Sequence, residues 1–310
     1  DRFLKRPHSR LSQARITVAG RNLTIGELRH LNTPTPFIAM MPQWDFLDFL
    51  KTEASRFPSF ALEMNAEVVE LIERDGRTVG VVLAGGRCIE AGKLVIMADG
   101  RGSIVRGQNI LPVKALGAPM DVFWFRLPKR EAAGEALRGL VGPGKMMVMI
   151  HRTDYLQSAH IFPNGQADVL RNDGIAAMRA RIEALAPDLG SLASDLVDMS
   201  QFFLLSVALD RLEHWHRPGL LAIGDAAHAM SPIGGIGINL AIQDAVAMAN
   251  SLADPLRQSE NVDGLLHLVE RRRRLPTRII QAGQKLAQDR IIGALFKPGI
   301  QGSLAHNLKK

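Results

Sequence analysis

The chain has 310 residues, with 38 Lys and Arg against 31 Asp and Glu, a formal net charge of +7. Hydrophobic residues make up 46%, which excludes a disordered chain, because such chains lack the apolar surface that folding must bury. A single cysteine, Cys88, excludes an internal disulfide framework and a thiolate metal cluster, and fits a reducing, cytoplasmic setting.

In chain order, residues 1–42 carry no clear signature, and Pro34 and Pro36 mark an irregular or extended stretch. From Trp44 to Phe57, Phe46, Leu47, Phe49 and Leu50 recur at helical spacing, with Asp45 in the first turn. Val68–Ile72 and Thr78–Leu83 flank Asp75-Gly76, a hairpin signal, and Gly85-Gly86 makes a second turn. Leu94–Ala98 is a continuous apolar run that stops at Asp99-Gly100. It reads as a fully buried strand of a parallel sheet. Strands are expected at 119–127, 146–150, 158–162 and 200–209, and helices at 174–185 and after Pro187. Residues 111–215 therefore read as a strand-rich α+β insertion. Gly219–Ile223 is a second short apolar run, ending at Gly224-Asp225. A long helix starts near Ile238, and a last helical region covers about 262–295, which Pro276 should kink or interrupt. No apolar run approaches the roughly 18 residues of a membrane span.

The basic excess concentrates in Arg271–Arg274, in a stretch of helical spacing. Consecutive helical residues fan around the axis, and aromatic residues are 5% of the chain, so platforms for stacking bases are scarce. Nucleic-acid binding is not expected; mild affinity for anionic small molecules or membrane surfaces fits better. His214 and His216 flank Trp215, but no spacing of histidines matches a metal motif, so no metal is expected. No serine lies in a G-x-S-x-G elbow.

The two apolar strands share one device, an Asp beside a Gly at the carboxyl end. Ligands of open α/β sheets bind outside those ends. An Asp there can accept hydrogen bonds from sugar or ribityl hydroxyls while glycine allows close approach; the same dipeptides also serve as plain turns. The second site is richer. Gly224-Asp225-Ala226-Ala227-His228 precedes Ser231-Pro232, then Gly234, Gly235 and Gly237, then the helix beginning with Ile238 and Asn239. A glycine loop opening a helix exposes unpaired N–H groups at the positive end of the helix dipole. No Lys-Ser/Thr follows the glycines, so this is not a P-loop.

Gly224–Asp244 resembles the second FAD fingerprint of the aromatic-ring hydroxylases, the para-hydroxybenzoate hydroxylase-like flavin monooxygenases. Asp99-Gly100-Arg101-Gly102-Ser103-Ile104-Val105-Arg106 resembles the middle motif of that family, associated with FAD and NAD(P)H. The resemblance runs from about Gln43 to the C-terminal helices. It implies that Asp225 binds a ribityl hydroxyl, that Pro232 and Gly234–Gly237 pass along the isoalloxazine, and that the N–H groups of Ile238 and Asn239 face the flavin N1–C2=O edge. It also implies that Gln43 touches the flavin's sugar chain and that Asp99, Gly100, Arg106 and Gly224 belong to the cofactor site. The implied reaction uses FAD, NAD(P)H and O2 to hydroxylate a small aromatic substrate through a C4a-hydroperoxide.

The implied fold is α/β, an incomplete Rossmann-like FAD-binding domain with an inserted sheet-rich α+β substrate domain. Its divisions are 1–110 and 216–310 for FAD and 111–215 for substrate. The departure is the family's first fingerprint: no G-x-G-x-x-G occurs, so the N-terminal βαβ unit that binds the pyrophosphate is expected to be missing, and these residues alone are expected to bind FAD weakly or not at all, which would leave them inactive. A further departure is Ile236, where the family often has a polar residue.

No side chain is strictly required as a nucleophile. His151 and Tyr155 are the candidates to orient or deprotonate a phenol. Phe123, Trp124, Phe125, Met147, Met149, Phe202 and Phe203 could line an apolar pocket, although alternate members of such a set normally form core. The competing readings are a flavin reductase of the geranylgeranyl-reductase type, a halogenase on the same scaffold, and a non-catalytic fragment. The substrate, the choice of NADH or NADPH and the oligomeric state stay open.

Overall fold

A computed structural model describes residues 2–18, 21–129, 137–142, 145–152, 154–187, 190–258 and 260–292. In chain order the elements are β1 (Ser9–Leu11), β2 (Gln13–Val18), β3 (Arg21–Glu27), β4 (Ile38–Met40), α1 (Gln43–Ala54), β5 (Val68–Arg74), β6 (Arg77–Leu83), β7 (Cys88–Glu90), β8 (Val95–Met97), α2 (Ile104–Gly107) and β9 (Val113–Ala115). Then follow β10 (Met120–Pro128), β11 (Leu137–Gly142), β12 (Lys145–His151), β13 (Tyr155–Pro163), α3 (Ala167–Asn172), α4 (Gly174–Leu185), α5 (Gly190–Ala193) and β14 (Phe203–Ser206). The chain closes with β15 (Asp210–Leu212), β16 (His216–Arg217), β17 (Leu220–Ala222), α6 (Gly237–Arg257) and α7 (Leu266–Ala287). This is a mixed α/β fold, and among the described residues no helix is long and apolar enough to cross a membrane.

The chain divides into two compact units. The first gathers the described residues of Asp1–Leu62, Pro119–Ser206 and Arg290–Lys310. Its centre is a seven-stranded sheet in the order β14-β10-β13-β12-β11-β2-β3. The strand β2 runs parallel to β11, and the other pairs are antiparallel. Side chains alternate between the faces of a strand, and the register assigns each. Phe123, Phe125 and Leu127 of β10 share a face with Met147 and Met149 of β12 and with Leu156 and Phe162 of β13. These residues form one buried core with Leu170, Met178, Ile182, Leu192 and Leu196 from α3, α4, α5 and the turn after them. The opposite face carries Val122, Trp124, Arg126 and, across the pairing, Phe203 and Tyr155.

The second unit is Glu63–Ala118 with Val207–Asp289. The hairpin β5–β6 turns where expected, with Asp75 at φ 51° and Gly76 at φ 73°, the pair of positive φ values that an Asp-Gly turn supplies. The strands β16, β17 and β8 form a small sheet in which β17 is parallel to β8, Leu220 opposite Val95 and Ala222 opposite Met97. Leu220, Leu221, Ala222, Val95, Met97 and Trp215 pack with Leu252 of α6 and Leu266 and Val269 of α7.

Four expectations change. First, β8 is an edge strand of its sheet: Val95 and Met97 are buried, but Ile96 is 39% exposed, so the strand is not buried on both faces. Second, residues 1–42 hold four strands. Third, 200–209 contains only the short β14, preceded by a 3-10 turn over Met199–Gln201. Fourth, α7 runs uninterrupted through Pro276. Buried Val269, Arg273, Thr277, Gln281 and Gln284 anchor it on both sides of the proline, so tertiary contacts outweigh the one lost backbone hydrogen bond.

Candidate flavin site

Because β8 and β17 are parallel, Asp99-Gly100 and Gly224-Asp225 leave the same end of one sheet. After β17 the chain turns sharply at Gly224 (φ 58°). A Cβ there would lie 3.0 Å from the Ala241 Cβ on α6, so both the backbone conformation and the close helix approach call for glycine. The turn is bolted to α6 by Asp244, whose side chain is fully buried. Its carboxylate accepts the Gly224 N–H (3.0 Å), His228 Nε2–H (2.6 Å) and Arg273 Nε–H (2.7 Å). Burial opposes the charged form of Asp244, but His228, Arg273 and the Gly224 amide outweigh it and hold its pKa below the ordinary value. His228 is buried beside Trp215, ring centroids 5.0 Å apart.

Next in the chain, Asp225 stays one-third exposed. Its Oδ2 accepts a hydrogen bond from Arg101 Nε at 3.3 Å, and Arg101 also donates to the Met230 carbonyl at 3.4 Å. The Arg101 Nη1 is buried with no partner among the described residues. Arg106, from α2, donates to the Asp225 carbonyl at 2.8 Å and pairs with the Asp210 carboxylate. Arg106 thus ties the middle motif to the backbone of the second one. Asp99 is exposed, and Gly100 has φ 83°.

The loop that follows is clamped from α7. Gln281 donates to the Asp210 and Ala229 carbonyls. Gln284 brackets Ser231 and reaches the Ile233 carbonyl, and Gln288 donates to Ser231 Oγ. Beyond the clamp the chain opens to solvent at Gly234 (φ 82°), Gly235 (φ 62°), Ile238 and Asn239. The helix α6 begins at Gly237 with no side-chain cap, so its first amides are available to a ligand. A Cβ at Gly237 would lie 3.9 Å from Asp225 Oδ1. Carboxylate and helix N-terminus are therefore neighbours.

This geometry brings together Gly224, Asp225, Pro232, Gly234, Gly235, Gly237, Ile238 and Asn239, with Asp99, Gly100 and Arg106 at the same sheet end. Gln43 lies in the first unit, exposed at the start of α1. His151 and Tyr155 are not brought together: His151 pairs with Leu156 and Tyr155 with Pro128, so they occupy opposite faces of the sheet. Burial, then Lys129 and Arg138, lower the His151 pKa. Of the aromatic and methionine set, Phe123, Phe125, Met147, Met149 and Phe202 are core, while Trp124 and Phe203 lie on the other face. The sequence alone assigns no role at this site to Arg101, which it places in the middle motif, to Arg273, which it places in the basic cluster, or to Asp210, Gln281, Gln284 and Gln288. The glutamines had a signal: polar residues at i, i+3 and i+7 on the buried stripe of a helix.

The residues present suit a flavin's ring and ribityl chain. An open carboxylate can accept from hydroxyls, uncapped amides can face an electron-rich edge, and glycines leave room for a flat ring. A fold of this kind with a site of this kind defines a flavoprotein, and the FAD binding domain family matches residues 3–283. The chain belongs to that family and is a FAD-dependent monooxygenase of the aromatic-hydroxylase class. It is 31% identical over 292 residues to 6-methylpretetramide 4-monooxygenase of Streptomyces rimosus, covering 91% of this chain and 69% of that protein. Kynurenine 3-monooxygenase of Stenotrophomonas maltophilia is 39% identical over 71 residues, 23% of this chain and 15% of its own. PqsL of Pseudomonas aeruginosa shares the fold, with a TM-score of 0.78 at 18% identity over 94% of this chain and 82% of PqsL.

Proposed function

We propose that the protein hydroxylates an electron-rich aromatic small molecule, with NAD(P)H as reductant and O2 as oxygen donor. The observation that carries this reading is the Asp225 carboxylate beside the uncapped start of α6. When bound, FAD supplies the redox and oxygen chemistry; the chain's residues bind and orient it. In this reading Asp225 accepts a ribityl hydroxyl and the amides of Ile238 and Asn239 donate to the N1–C2=O edge, where they stabilise negative charge. Gly224, Pro232, Gly234, Gly235 and Gly237 give the ring close passage. Asp99 and Gly100 border the site, and Arg106 is a positioning residue that acts through the Asp225 backbone.

The second unit thus has the flavin role and the first the substrate role. The sheet face bearing Trp124, Arg126, Tyr155 and Phe203 is the substrate wall. Arg126 sits 4.7 Å over the Tyr155 ring, which suits a planar substrate with an acidic or phenolic group. Tyr155 orients that group, whereas His151 on the other face does not touch it. The name of the Streptomyces relative, a 4-monooxygenase of 6-methylpretetramide, supports a small organic substrate.

The pyrophosphate half of FAD is held in Rossmann-type domains by a G-x-G-x-x-G turn, a pattern that does not occur in these residues. We assign it to a βαβ unit that would cover the open edge of β8 at Ile96 and the exposed stripe Ile238, Ile242 and Val246 on α6. The test uses the full-length protein with FAD, NADPH or NADH and a panel of phenolic acids under 18O2. Substrate-stimulated NAD(P)H oxidation with one 18O atom in the product supports the reading. Oxidation with no labelled product, or transfer of hydride to the substrate, overturns it in favour of a reductase.

A further inference from the structure

A second cluster in the Val207–Asp289 segment lies outside the flavin site. On α7, Arg271, Arg274, Leu275 and Arg278 follow i, i+3, i+4 and i+7 spacing, one helix face. They line a groove of about 400 Å3 together with His214, His216, His267 and Glu270. Arg211, donating to Gln281 at 3.1 Å, adds a fourth guanidinium. Its pKa is lowered by burial and then by Arg278 and Arg274, so these like charges are within electrostatic reach of one another.

The groove has one carboxylate, and it is already engaged. Glu270 accepts the Trp215 N–H (3.0 Å) and Arg274 Nη1–H (3.0 Å), and lies 3.6 Å from His216 Nε2. No carboxylate or hydrogen-bond acceptor pairs with Arg271 or Arg278 among the described residues. Gathering three guanidiniums around one carboxylate in a concave site, with Arg211 within electrostatic reach, raises a strongly positive local potential, and an anion relieves it. A metal cation is disfavoured by that charge, and no metal-holding group of His, Cys, Asp and Glu occurs among the described residues.

We propose that this groove binds a phosphate group, free or borne by a small molecule. Guanidinium forks match phosphate oxygens two at a time, and the imidazoles supply further donors. The exposed Leu275 and the flat imidazoles give an organic moiety something to rest on. An RNA strand would need a longer cationic track with aromatic platforms, and a membrane would need a flat surface; this is a concave site two helical turns long. The inference is independent of the oxygenase reading.

The test is calorimetric titration of the full-length, FAD-loaded protein at 150 mM salt with inorganic pyrophosphate and, separately, with adenosine 5′-diphosphate. Saturable one-site binding is expected, weakened at least tenfold in the Arg271→Gln, Arg278→Gln double variant with its flavin absorbance unchanged. Tighter binding of the nucleotide assigns the phosphate to a nucleotide. Equal binding assigns it to free phosphate or pyrophosphate. No saturable binding, an adventitious ion only with the same affinity in the double variant, or arginine-dependent binding of RNA or anionic vesicles without phosphate binding overturns the proposal.

Discussion

Replacing Asp244 with Ala should be among the most damaging single changes in the second unit. The carboxylate holds three donors, and none can turn to water: His228 is fully buried, the Arg273 side chain is 9% exposed, and the Gly224 amide is buried. Removing one partner from a buried ion pair costs about 3–5 kcal/mol, and the stranded Gly224 N–H adds about 1 kcal/mol or more. Against a total stability of roughly 5–15 kcal/mol, Asp244→Ala should lower the unfolding free energy by about 4 kcal/mol or more. Asp244→Asn keeps an acceptor for one or two donors and should lose about half as much. Urea denaturation of the apo-protein, followed by near-UV circular dichroism, measures both. The Gly224 turn carries Asp225, so the Asn variant, which still folds, should also bind FAD more weakly. A loss below about 1 kcal/mol for Asp244→Ala would refute the reasoning, because it would mean the three donors find other partners. The pH dependence has a fixed sign: a depressed carboxyl pKa gives stability that is present at neutral pH and lost as pH falls through the folded-state value.

Asp225→Ala should weaken FAD binding by about tenfold to a hundredfold, the value of a charge-assisted hydrogen bond of about 1.5–3 kcal/mol, while Asp225→Asn recovers part; flavin fluorescence quenching reads both. Gly219→Ala should destabilise strongly, because Gly219 has φ 73° and a Cβ there would overlap the Thr78 carbonyl oxygen; the melting temperature should drop by several degrees, and no change would sink the point. His160 is buried, its ring nitrogens have no partner among the described residues, and burial, then Arg181 and Lys145, lower its pKa from 6.5 to about 4. The unfolded chain therefore binds that proton first, and about 3 kcal/mol of stability should disappear as pH falls from 6.5 towards 4. His160→Leu should flatten that part of the stability profile; an unchanged profile would assign the acid sensitivity elsewhere.

The readable parts of this chain were those whose cause is local. Asp75-Gly76 and Gly85-Gly86 turned because their backbone demanded it. The two apolar runs ending in Asp-Gly and Gly-Asp were visible as strands, and their shared sheet end follows from their parallel pairing. The first 42 residues were not readable, because Gln13–Val18 and Arg21–Glu27 are polar-rich, and β2 owes its place to a parallel pairing with β11 more than 100 residues away. Phe202 and Phe203 are adjacent, yet one is core and the other is 69% exposed, a consequence of strand alternation that composition does not reveal. Pro276 misled for the opposite reason: a local rule was outweighed by a buried polar stripe on both sides of it. That stripe, Arg273 to Gln288, is also what fixes the flavin-site loop, and its partners lie 29 to 71 residues earlier in the chain.

The most direct test is a crystal structure of the full-length protein with FAD bound. The Asp225 carboxylate should lie within hydrogen-bond distance of a ribityl hydroxyl, and the amides of Ile238 and Asn239 should face the N1–C2=O edge. A flavin whose ring and ribityl chain lie away from the α6 N-terminus, with Asp225 still held by Arg101 alone, would contradict the account.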